Sequence, residues 1–213
     1  MSKIKIPKYN LIEELINSIS HGLGAIFAIV ALILLLVKSH TATAYISCSI
    51  YCTLMLILYV ISCIYHALSP RTKGKKVLRV IDHCNVMLMV AGTYMPICLS
   101  LFNNYIGWIT FSIVWIITII GVVFNAIDVD KYSLISVICN LLLGWGSVVL
   151  IKPMLNIIPL KALTFLILGG ILYTIGSILY GVGRKIPYMH SIFHFFVLGG
   201  CISHFLFIYL YCI

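Results

Sequence analysis

Residues 187–213 read PYMHSIFHFFVLGGCISHFLFIYLYCI. The run is apolar and long enough to cross a bilayer, which takes about 20 residues of helix. It opens with His190 and His194, four residues apart. On a helix, those two positions stack on one face. Two imidazoles just inside an apolar run need partners for their polar nitrogens. The spacing points to a shared metal ion, with a third ligand supplied from elsewhere in the chain.

Composition sets the class. Of 213 residues, 62% are apolar and 9% are charged. Soluble domains carry about 25% charged residues, so this is an all-α membrane protein. The net charge of +9 would suggest nucleic acid in a soluble chain. Here the basic residues flank apolar runs, so membrane topology and anionic headgroups account for them, and no nucleic-acid partner is expected. No secretory leader is apparent in MSKIKIPKYNLIEEL, so the first apolar run is expected to remain as a span. The eight scattered cysteines form no C-x-x-C pair and read as small hydrophobes.

Seven apolar runs, at about 19–37, 43–66, 84–102, 106–126, 133–151, 161–181 and 189–212, predict a seven-transmembrane helix bundle. Residues 9–19 place Leu11, Ile12, Leu15, Ile16 and Ile19 on one side at helical spacing, with Glu13, Glu14 and Asn17 opposite. That pattern predicts a short interfacial helix ahead of the first span, within a single domain covering 1–213. The Gly169-Gly170 and Gly199-Gly200 pairs are expected to allow close helix packing. A cytoplasmic N-terminus puts Lys3, Lys5, Lys8, Arg71, Lys73, Lys75, Lys76, Arg79, Lys131, Arg184 and Lys185 inside. Only Lys38, Lys152 and Lys161 then lie outside. Eleven basic residues against three favour N-terminus in and C-terminus out, in a cell membrane.

That orientation gathers polar residues at one depth. His66 lies at the cytoplasmic end of the second helix, next to Ser69-Pro70. Asp82 and His83 fall in the expected first turn of the third helix. His190 and His194 begin the seventh, while Asn17 and His21 begin the first. Ionisable residues inside spans are costly and mark sites. His66, His190 and His194 supply three nitrogens, the ligand count of a catalytic zinc site, though the ligand type also admits copper, nickel and iron; the alternative is a metal-free polar network tying helices 2, 3 and 7. Zinc lowers the pKa of bound water to about 7, and Asp82 is the expected general base. Ser62, one turn before His66, is placed either to donate to a developing oxyanion or to bond back to its own helix. Asp82 and His83 are about 100° apart, so Asp82 is assigned to the interior and His83 to helix 1 or to headgroups. Glu13, Glu14, Asn17 and His21 either wall the mouth of the site or, for the glutamates, form a solvated face. His204, about 21 Å beyond His190 along the helix, is out of reach of the same metal. It is expected to pack or hydrogen-bond, and His40 sits in an outer loop. Polar residues stop near one face in this reading, which suits a site better than a channel.

The chain resembles the haemolysin III family, the bacterial branch of the progestin and adipoQ receptor family, within a superfamily that includes alkaline ceramidases. The resemblance rests on EELINSISHGLG at 13–24, SCIYHALSP at 62–70, IDHCNVMLMVAGTYMP at 81–96 and HSIFH at 190–194. It implies seven helices, a cytoplasmic N-terminus and a zinc ion near the cytoplasmic face. The implied ligands fall on His66, His190 and His194, the acid that holds the water on Asp82, and the superfamily serine on Ser62. It also implies hydrolysis of a lipid amide. Three functions follow as expectations. They are a zinc-dependent hydrolase of a membrane lipid amide or ester, a receptor or regulator with structural zinc, and a cytolytic protein.

Overall fold

The computed structural model describes residues 4, 6–7, 9–183 and 185–213. Lys3, Lys5, Lys8 and Arg184, four of the basic residues behind the expected orientation, lie outside the described residues. Among the described residues there are seven helices long and apolar enough to span a membrane, and no strand. They are α1 (Leu11–Lys38), α2 (Ala42–Ala67), α3 (Lys73–Phe102), α4 (Tyr105–Ile127), α5 (Ser133–Leu155), α6 (Ala162–Val182) and α7 (Met189–Tyr211). The seven-helix expectation holds, and the protein is a multi-pass membrane protein.

Two boundaries differ from those expected, and both differences bear on the site. Residues 9–19 do not form a separate interfacial helix, because α1 runs unbroken from Leu11. Asn10 and Glu13 start it with a reciprocal capping box, at 2.8 and 2.9 Å. Neither Gly22 nor Gly24 breaks it. At 28 residues it is about 42 Å long, well beyond the hydrocarbon thickness of about 30 Å. Its first turns carry the polar residues described below.

The third helix starts at Lys73 rather than 84, behind a Thr72 cap. Its first turns contain Lys75, Arg79 and Asp82, all buried. Lys75 pairs with Glu14 at 2.5 Å and Arg79 with Asp130 at 2.8 Å. Hydropathy counts such residues as exposed, so the span looked shorter than it is. Asp82 consequently sits about two and a half turns into α3, not in its first turn.

The interior follows from this packing. α3 is the central helix, with 72% of its most apolar window buried, against 22% for α4 and α5. The core joins Ala28, Ala31 and Leu35 of α1 to Tyr51, Met55 and Tyr59 of α2, Met87 and Ala91 of α3, and Phe207 and Ile208 of α7. Most of the Ile, Leu and Val on α4 and α5 face outward, as a lipid environment allows. α1 packs against both α2 and α7, so the first and last helices are neighbours. Small residues permit a tight seam between α6 and α7. Gly169 lies against the His204 ring, and a Cβ at Gly200 would come within 2.7 Å of the Tyr173 ring.

Candidate metal centre

His66 lies in the last turn of α2, His190 in the first turn of α7, and His194 one turn further on. One ring nitrogen from each lies within 4.8 Å of the others, close enough for the three to hold a metal ion. All three are buried. His190 Nε2 and His194 Nε2 are 3.1 Å apart. Tetrahedral zinc with bonds of about 2.0–2.1 Å would set its nitrogens roughly 3.3 Å apart. His66 Nε2 is buried with no hydrogen-bond partner. A buried orphan acceptor is expensive, and a cation would supply what it lacks. The residues therefore fit the group that their spacing implied.

The other ring nitrogens of His66 and His194 are engaged from α1, at its polar first turns. Glu14 Oε2 lies 2.7 Å from His66 Nδ1, and Asn17 Nδ2 is 3.4 Å from the same atom. His21 Nε2 meets His194 Nδ1. Tyr9 stacks on His190, with ring centroids 4.7 Å apart and planes at 15°. Burial holds the Tyr9 hydroxyl above its usual range, so it stays protonated. These contacts have the form of the outer-shell partners that orient metal-binding histidines and select their tautomer. With Glu14 on Nδ1, the lone pair of His66 falls on Nε2, the orphan atom.

Two further bonds hold the frame. Buried Lys75 links Glu14 Oε1 to the end of α2, donating to the Leu68 carbonyl at 2.8 Å. Glu13 Oε1 accepts the Tyr188 backbone N–H at 2.6 Å. Tyr188 precedes α7 with φ of 64°, a left-handed conformation that costs a non-glycine residue about 1–2 kcal/mol. That bond fixes the turn from which His190 emerges.

The solvated-face alternative for the glutamates is thus set aside: Glu13 is 5% exposed, and both carboxylates are spoken for. The sequence did carry a signal. Tyr9, Glu13, Asn17 and His21 recur every four residues, and the buried stripe continues through Gly24 and Ala28.

Asp82 and Ser62 do not join the nitrogen cluster itself. Both line a cavity of about 160 Å³, together with His21, His190 and His194. The Ser62 hydroxyl has no partner in hydrogen-bond geometry. Asp82 still lies close enough to interact with it, and within electrostatic reach of His66 and Arg79. His83 lines the same cavity and faces α6, edge-on to Tyr180 at 6.0 Å, rather than α1. His204 bonds the Leu166 carbonyl at 3.3 Å, away from the cluster.

The cavity also extends to other helices at the histidine end of the bundle. It runs on past Asn125, Ser136, Asn140, Thr174 and Ser177, between α3, α4, α5 and α6. Apolar side chains, among them Val86, Val90, Leu141 and Val197, make up much of the remaining wall. The arrangement is a buried histidine cluster opening on an elongated, largely apolar chamber.

Comparison with known proteins agrees with this architecture. Residues 9–205 match the family described as Haemolysin-III related. Hemolysin-3 of Bacillus cereus is 36% identical over 191 residues, covering 88% of this chain and 86% of that one. The Hemolysin-3 homolog of Bacillus subtilis (strain 168) is 34% identical over 208 residues, covering 96% and 97%. The Monocyte to macrophage differentiation factor of Homo sapiens shares 24% identity over 210 residues, covering 93% and 84%.

Proposed function

Since this chain belongs to the haemolysin-III related family, we propose that its histidine cluster holds zinc and that the protein hydrolyses an amide or ester of a membrane lipid. The observation that carries the reading is the buried, unpartnered His66 Nε2, grouped with His190 and His194 at the end of an apolar chamber that also contains Asp82 and Ser62. Zinc held there would supply Lewis acidity and lower the pKa of water to about 7.

The chain's own residues have distinct tasks in this reading. Asp82 takes a proton from water as general base. Ser62 donates its hydroxyl hydrogen toward the carbonyl oxygen of the scissile bond. Glu14 and His21 hold His66 and His194 in register. The apolar wall receives an acyl chain and keeps bulk water away from the bond.

Metal content and turnover test the reading together. Purified wild-type protein is expected to carry one zinc and to cleave members of a panel of ceramide-like amides and acyl esters. His190→Ala is expected to lose the zinc. Asp82→Asn should keep it while losing about 10²–10⁴-fold in rate. Absence of metal in wild type and variant alike would remove the basis of the proposal. A zinc-loaded protein inert to the whole panel, with Asp82→Ala functional and His190→Ala thermally weakened, would point instead to a regulator with structural zinc. Liposome leakage that survives loss of all three histidines would mark a lytic activity independent of the site.

A further inference from the structure

A second polar cluster lines the chamber, on α4 and α5. Asn125, near the end of α4, is fully buried. Its Nδ2 donates to the His83 carbonyl at 3.3 Å and the Ser136 hydroxyl at 3.0 Å. Its Oδ1 is buried without a partner. Asn140, one turn beyond Ser136, repeats the pattern. Its Nδ2 donates to the Ser136 carbonyl at 3.0 Å, and its Oδ1 is likewise buried and unpartnered. Neither amide is free to flip, since flipping would set Oδ1 against a backbone carbonyl. Both asparagines line the cavity, and Ser136, Asn140 and Gly144 bring one face of α5 to it.

A buried amide oxygen without a donor is costly in a low-dielectric interior. Two such oxygens on one chamber call for an occupant that brings donors. The free acceptors of the pair are neutral amide oxygens rather than carboxylates. Uncharged hydroxyls suit the pair, and the apolar wall suits the chain attached to them. We infer that Asn125 and Asn140 form a subsite for the hydroxyl groups of an uncharged lipid and so select among the ligands of the chamber. The inference rests on the reading that the chamber takes a membrane lipid.

Binding tests this without turnover. Trp145 lines the cavity and reports occupancy by its fluorescence in a Trp108→Phe/Trp115→Phe background. The probes are 1-monooleoylglycerol and methyl oleate, which share an acyl chain and differ in hydroxyl donors. The full chain in nonionic detergent is expected to prefer the first by about tenfold. Asn140→Leu should cut that preference to about threefold or less, leaving methyl oleate binding unchanged. Asn125→Leu should do the same. Asn125 also supports the α3–α4 contact, so Asn140→Leu, whose amide bonds only its own helix, decides the matter if the other variant fails to fold. No preference in the wild type, or an undiminished one in Asn140→Leu, would overturn the inference; the latter is what a resident water satisfying both oxygens would give. A protein that shows the preference but cleaves nothing would sink the hydrolase reading alone.

Discussion

Glu14 carries more of the site than its place in the sequence suggests. One oxygen holds His66 Nδ1 and the other holds Lys75, so a single carboxylate ties α1 to both α2 and α3. Removing an outer-shell partner of this kind typically costs 10–100-fold in metal affinity. Glu14→Ala is therefore expected to weaken zinc binding by about 10–100-fold in chelator competition, with Glu14→Gln intermediate because its amide oxygen can still accept from His66. An affinity unchanged in Glu14→Ala would show that the 2.7 Å contact does not orient the ligand. The three histidines, Asp82 and Ser62 were legible in the sequence because a polar group in an apolar run is conspicuous. Lys75 was not, and Glu14 was legible only as a wall of the mouth or a solvated face, not as a partner of His66. The two are 61 residues apart, and each alone reads as an ordinary surface charge. Their burial becomes affordable only through a partner that no local pattern names.

At the scale of elements, number and order were legible, because seven runs of about 20 apolar residues admit few other readings. The starts of α1 and α3 were not, since their first turns are polar and yet enclosed. The same enclosure accounts for the glycines. At Gly200 a methyl group would press on the Tyr173 ring, which is itself pinned by its hydroxyl to Cys201 Sγ at 3.1 Å. Gly200→Val is expected to destabilise by about 1–3 kcal/mol, read as a lowered midpoint of thermal unfolding in detergent. Gly181, also in a helix, has open space where its Cβ would stand. Gly181→Ala should be neutral or stabilising by up to about 1 kcal/mol. Equal losses at both positions would mean that the α6–α7 seam does not govern these glycines.

At the scale of the whole molecule, the distribution of basic residues sets an expected orientation. A reporter enzyme active only outside the cytoplasm should be active when fused after Ile213 and silent when inserted at 70–72, between α2 and α3. The reverse pattern would place the histidine end of the bundle on the outer face. The fold also imposes an order in time. The α1 and α7 helices are neighbours, and His21 meets His194 across 173 residues of chain. Synthesis proceeds from the N-terminus, so α1, α2 and α3 enter the membrane with Glu14, His66 and Asp82 already aboard and two of the three ligand nitrogens still untranslated. A metal held by the three histidines would then be captured last: a nascent chain that stops short of α7 offers His66 alone of the three, and only the finished polypeptide brings the full set together.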